Sequence, residues 1–135
     1  MKSVLRLLIA ITLVTFGSTV FANEIDNRLK AYQAQGAGEF SASRGEKMWH
    51  KDYPDPKKPG KVRNCGTCHT DNLKNKGKHA KTGKVIDPLA PSVNPERFTD
   101  KKFIEKWFKR NCKWVLGRKC TPQEKGDFLM YLRNQ

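Results

Sequence analysis

Amphipathic helical stretches joined by long loops, with no convincing strand pattern, predict an all-α domain. A five-residue run predicts what the helices surround. That run is Cys65-Gly66-Thr67-Cys68-His69, the C-x-x-C-H spacing of a c-type haem attachment site. In such a site two thiols add across the haem vinyl groups as thioethers. The adjoining histidine is then held beneath the ring as proximal iron ligand. Chain length agrees: residues 23–135 make one small domain, whose limited core gains from a large apolar cofactor at its centre.

Other readings of the motif fit less well. A closed zinc site needs two further ligands at matching spacing, and Cys112 and Cys120 lie far downstream, eight residues apart. A thioredoxin-like dithiol belongs in a βαβ setting, and no strand pattern surrounds this one.

The N-terminus reads as an export signal. Lys2 and Arg6 precede an apolar run at 7–16, Gly17 and Ser18 relax it, and Val20-Phe21-Ala22 offers a small-residue cleavage site. The run is shorter than the roughly 20 residues of a membrane-spanning helix. Residues 1–22 are therefore expected to be a cleaved signal peptide, and residues 23–135 a soluble periplasmic monomer. Covalent haem attachment takes place after export, so signal and motif point to one compartment.

Cleavage takes two of the 27 Lys and Arg residues, so 25 face 13 Asp and Glu, a formal +12 before the haem propionates subtract. Export argues against nucleic acid as the partner for that charge. An acidic redox partner or an anionic membrane surface remains, beside a surface that is basic for solubility alone. Cys112 and Cys120 are an even pair in an oxidising compartment, where a disulfide is the default over a redox-active dithiol. It closes a loop of about nine residues, worth about 2.6 kcal/mol in the chain-entropy model.

The helices follow in order. Ile25, Leu29 and Tyr32 set an amphipathic helix over 24–35, ended by Gly36-Ala37-Gly38. Ser43-Arg44-Gly45-Glu46 has the form of a capping box and places a second helix at 44–51, with Met48 and Trp49 as its apolar pair. A Pro- and Lys-rich loop leads into the haem motif, and 70–97 is mostly irregular. A third helix starts at Thr99 or Asp100, buries Phe103, Ile104, Trp107 and Phe108, and ends near Arg110 or Asn111. Thr121, Pro122 and Glu124 open a last helix over 122–133, with Phe128, Leu129 and Leu132 on its apolar side.

This order of parts resembles a class I cytochrome c. Gly45-Glu46-Lys47-Met48-Trp49 is similar to that family's helix before the haem motif, and the stretch from Phe128 to Leu132 to its last helix. Pro88-Leu89 is similar to the segment whose proline carbonyl orients the proximal imidazole, although the glycine and spacer of that pattern are missing. The sixth iron ligand departs from the family. Electron carriers of this class supply a loop methionine between the haem motif and the last helix, and this chain has none there. Met48 and Met130 belong to helix stripes, His79 to a charged Lys-rich loop, and His50 to the end of a helix. Lysine needs deprotonation first, and nothing singles one out. From residue types alone the sixth position stays open. Trp49, Trp107, Phe108 and Trp114 are candidates to line the pocket, and Arg110 or Arg118 to pair with a propionate.

A more specific resemblance covers nearly all of 23–135. The stretch from Thr82 to Ser92, Pro95-Glu96-Arg97-Phe98-Thr99-Asp100, Glu105-Lys106-Trp107, Arg110-Asn111-Cys112 and the stretch from Gly117 to Pro122 resemble the sphaeroides haem protein family. The resemblance implies that Asn111 is the sixth ligand, beside a Cys112–Cys120 disulfide. It implies that this asparagine leaves the iron on reduction, so that oxygen, nitric oxide or carbon monoxide can bind. It also implies electrons from a dihaem or membrane-bound donor cytochrome, and a role as an oxygen-binding terminal acceptor that could reduce oxygen or nitric oxide. The alternative is an ordinary electron carrier with a permanent sixth ligand. The chemistry is consistent with the first reading. An amide oxygen is a hard, weak-field donor that suits ferric over ferrous iron, and its NH₂ group can donate to a bound gas.

Overall fold

The computed structural model describes residues 24–135, so the signal peptide expected at 1–22 lies outside the described residues. The elements in order are α1 (Glu24–Gln33), α2 (Ala42–His50), β1 (Tyr53–Pro54), β2 (Val62–Arg63), α3 (Gly66–His69), β3 (Gly77–Lys78), β4 (Val85–Ile86), α4 (Lys101–Leu116) and α5 (Pro122–Arg133). The architecture is helical, as expected. The loops nonetheless contain two antiparallel ladders, pairing Tyr53 with Arg63 and Gly77 with Ile86. Strands of two residues are too short to leave a period in the sequence. No described helix is long and apolar enough to cross a membrane.

The core forms where α2 and α1 lie against α5. Leu129, Phe128, Leu132 and Tyr131 of α5 meet Trp49 of α2 and Ile25 and Tyr32 of α1, all buried. The α2–α5 crossing brings backbones together. A Cβ placed on Gly45 would lie 2.1 Å from the Asp127 carbonyl oxygen, and one on Gly126 equally close to the Phe40 ring. Only a side chain that stops at hydrogen permits that approach.

Asp127 sits at the crossing, 2% exposed. Its Oδ1 accepts from the Ser41 backbone N–H at 2.7 Å, and its carboxylate takes Arg44 Nε at 2.8 Å and Nη2 at 2.9 Å. This changes the reading of α2. The N-cap is Ser41, whose Oγ accepts from the Arg44 N–H, and not Ser43. The carboxylate that satisfies the cap's own N–H comes from α5 instead of from the third helical residue.

The cap of α5 is as the sequence predicts: the Thr121 hydroxyl and the Glu124 side chain satisfy each other's backbone N–H groups, with Pro122 at the first turn. The third expected helix runs five residues past Asn111. Cys112, Val115 and Leu116 continue its inner side, and it stops at Gly117, whose φ of 74° is left-handed. Asn111 is therefore internal to a 16-residue helix and caps nothing.

The crossing yields a direct test. Gly45→Ala forces backbone against backbone, and the expected loss is about 1–3 kcal/mol of unfolding free energy. Chemical denaturation measures it, and an unchanged midpoint would contradict the close approach.

Candidate functional site

The C-x-x-C-H run forms the short helix α3, with Cys65 at its start. Asn64 organises the entry: its Oδ1 accepts from Thr67 N–H at 3.0 Å, its own N–H donates to Thr67 Oγ1 at 3.0 Å, and its Nδ2 donates to Asp52. The Cys65 N–H reaches back to the Trp49 carbonyl on α2 at 3.3 Å. Behind the helix, β3 presses directly on it, since a Cβ on Gly77 would lie 2.1 Å from the Cys68 carbonyl oxygen. The motif is thus braced by α2 on one side and by the β3–β4 ladder on the other.

His69 lies against Trp49, ring centroids 5.7 Å apart, and Trp49 in turn meets Phe128 and Tyr131 of α5. Burial, helped by the Arg97 charge, lowers the His69 pKa to about 4. The imidazole is neutral at physiological pH, the form that binds metal. Burial, with Cys68 nearby, pushes the Cys65 thiol up to about 12. Two thiols and a neutral imidazole inside five residues, with buried indole N–H groups of Trp49 and Trp107 that find no partner among the described residues, fit a large apolar group carrying its own iron and polar edge.

The carbonyl expected to orient that imidazole is otherwise engaged. Pro88 O accepts from Asn94 Nδ2 at 2.9 Å and from Arg97 Nε at 3.1 Å, which occupies both lone pairs. The segment resembling the cytochrome pattern anchors Arg97 here, and through it a positive charge near His69.

On α4, Asn111 lies seven residues after Ile104 and four before Val115, in one line along the helix. Both of those are 4% exposed, whereas Asn111 is exposed and its side chain has no hydrogen-bond partner among the described residues. Cys112, next along the chain, stands at disulfide distance from Cys120, sulfurs 2.02 Å and Cα atoms 5.6 Å apart. The other sixth-position candidates all have local partners. His79 Nδ1 takes the Thr82 N–H and faces its hydroxyl at 3.0 Å. His50 is exposed, with Nδ1 3.7 Å from Asp71. Met48 packs against the core, and Met130 Sδ accepts from Arg133.

Neither arginine considered for a propionate stands alone. Arg118 binds both oxygens of Glu124, and Arg110 lies over the Trp107 ring. Among the described residues the buried cation is Arg63, 7% exposed, bonded to Asp55 and stacked on Trp114. Nothing local in the sequence marks it. Trp114 is thereby partly exposed beneath a guanidinium.

A family model described as a domain of unknown function (DUF1924) matches residues 35–132. Cytochrome c-type protein SHP of Cereibacter sphaeroides is 40% identical over 107 residues, which are 79% of this chain and 81% of that protein. The chain belongs to the sphaeroides haem protein family of c-type cytochromes. The structure of oxidised SHP, described as an oxygen-binding cytochrome c, superposes with a TM-score of 0.72 at 39% identity, covering 82% of this chain and 96% of that one. A solution structure of cytochrome c'' from Methylophilus methylotrophus, described in terms of haem-ligand detachment, gives 0.68 at 36% identity, covering 82% and 93%. The fold is that of the class I-like helical cytochromes, and the cofactor is one covalently bound haem c.

The helix that carries Asn111 is fastened at its other end through Glu105. That carboxylate accepts from Tyr32 Oη at 2.5 Å and from Lys125 Nζ at 2.7 Å, joining α4 to α1 and α5. Burial alone would raise its pKa, but the hydrogen bonds from Lys125 and Tyr32 outweigh that and hold it below the usual range. A depressed carboxylate stabilises the fold above its unfolded pKa, and the contribution fades as pH falls through the folded value. Glu105→Gln is therefore expected to cost about 1–2 kcal/mol at neutral pH. The gap to wild type should close as pH drops below about 4.3. A gap independent of pH, measured by denaturation across that range, would contradict it.

Proposed function

We propose that residues 23–135 form a periplasmic monohaem cytochrome in which Asn111 holds the sixth iron position in the ferric protein and gives it up on reduction to a diatomic gas. Residues 1–22 serve as the signal peptide. When bound, the haem would supply a redox-active iron for which His69 and Asn111 are the protein's two ligands, and diatomic-gas binding would follow where Asn111 lets go.

The protein's side chains do the rest. Cys65 and Cys68 anchor the group as thioethers, and His69 offers a neutral, half-buried imidazole from a segment braced on both sides. Asn111 contributes an amide oxygen, a hard donor matched to ferric iron, and on release its Nδ2 can donate a hydrogen bond to what replaces it. The cystine Cys112–Cys120 restrains the backbone beside it. The observation that carries this reading is Asn111 itself: exposed, without a partner among the described residues, in line with buried Ile104 and Val115. Oxygen binding by the similar SHP and haem-ligand detachment in the similar cytochrome c'' support it.

Electrons reach the haem from another cytochrome, dihaem or membrane-bound, with an acidic docking face. Lys102, Lys106, Lys109 and Lys113 recur every three or four residues and form an exposed ridge along α4. The helix's one acid, Glu105, is engaged with Tyr32 and Lys125. Such a ridge attracts an acidic partner.

Asn111→Ala tests the ligand assignment. The ferric absorption bands should shift, and an unchanged ferric spectrum would remove Asn111 from the iron.

A further inference from the structure

The stack of Arg63 on Trp114 has no place in the site as described so far, yet it joins the two halves of that site. Arg63 ends β2, two residues before Cys65, and Trp114 lies three residues after Asn111 on α4. The guanidinium carbon is 4.5 Å from the Trp114 ring centroid. Asp55, at 3.3 Å from Nη1, is its acidic partner. At 7% exposure, the arginine has left water to make this contact, the condition under which a cation over an indole ring is strongest. Its planar, weakly hydrated guanidinium suits the stacking where an ammonium would not.

Position on the helix gives the contact its meaning. At about 100° per residue, Trp114 lies about 60° to one side of Asn111, and Cys112 about 100° to the other. The disulfide-distance pair ties one flank of Asn111 to the start of α5. The Arg63–Trp114 stack ties the other flank to the chain that carries the thiols. A helix held on both flanks of one residue cannot roll about its axis without breaking one tie.

We propose that Arg63 and Trp114 are positioning residues that set the roll of α4, keep Asn111 aimed at the iron and so limit how readily the sixth position opens. This rests on the reading of Asn111 as ligand. The test is the rate at which cyanide binds the ferric holoprotein, with the ferric spectrum recorded for each variant. Trp114→Leu and Arg63→Met should each accelerate binding about fivefold or more, whereas Trp114→Phe, which keeps a π face, stays within about twofold of wild type. In an Asn111→Ala background the Trp114→Leu acceleration should vanish, because no ligand is left to aim.

If Asn111→Ala alone changes the ferric spectrum and speeds cyanide binding while Trp114→Leu and Arg63→Met do neither, the positioning role is overturned and ligation stands. An equal Trp114→Leu acceleration with and without Asn111 reduces the tryptophan to a steric gate and also overturns it. If Asn111→Ala leaves both spectrum and rate at wild-type values, ligation and positioning fall together.

Discussion

The contact between the backbones of α2 and α5 is the constraint on which the remaining structure rests. Gly45 lets the helices approach, Gly126 leaves room for the Phe40 ring just ahead of α2, and Asp127 turns the approach into a polar joint by capping α2 and binding Arg44. A buried carboxylate is costly unless its oxygens are filled, and here backbone, guanidinium and Gln123 amide fill them. The joint places Trp49 between the core and the haem motif. From there it supplies a carbonyl to Cys65 and a ring to His69. Rigidity on the proximal side of the site is inherited from this crossing.

The other side is held differently. Helix α4 is fastened by a few separate contacts: the Glu105 hydrogen bonds near its start, the Cys112–Cys120 pair near its end, and the stack of Arg63 on Trp114. Its outer face carries a lysine ridge in solvent. A chain built this way offers His69 from a braced segment and Asn111 from a helix that a few ties restrain. That division of stiffness would suit the proposed function, in which His69 stays bound and Asn111 is released.

Much of this was legible where the determinants are local. The C-x-x-C-H run needs only its own five residues, and the cap of α5 needs only Thr121, Pro122 and Glu124. The start of α2 is not readable locally because half of its cap comes from Asp127, 86 residues away in sequence. The end of α4 lies later than the sequence predicts because the helix continues into the segment between Cys112 and Cys120. The stop signal is Gly117, and Val115 and Leu116 continue the buried face up to it. Asn111 stood out only through the resemblance of Arg110-Asn111-Cys112 to a known family. Its exposure in line with Ile104 and Val115 required the folded helix. Arg63 left no signal at all, since a two-residue strand has no period and its partner is 51 positions downstream.

Absorption spectra of the ferrous holoprotein, recorded with and without carbon monoxide, test the proposal that reduction opens the sixth position. If it does, the ferrous spectrum is five-coordinate and shifts promptly when the gas is added. A six-coordinate ferrous spectrum that carbon monoxide leaves untouched would mean a permanent strong ligand and an ordinary electron carrier, and would contradict it.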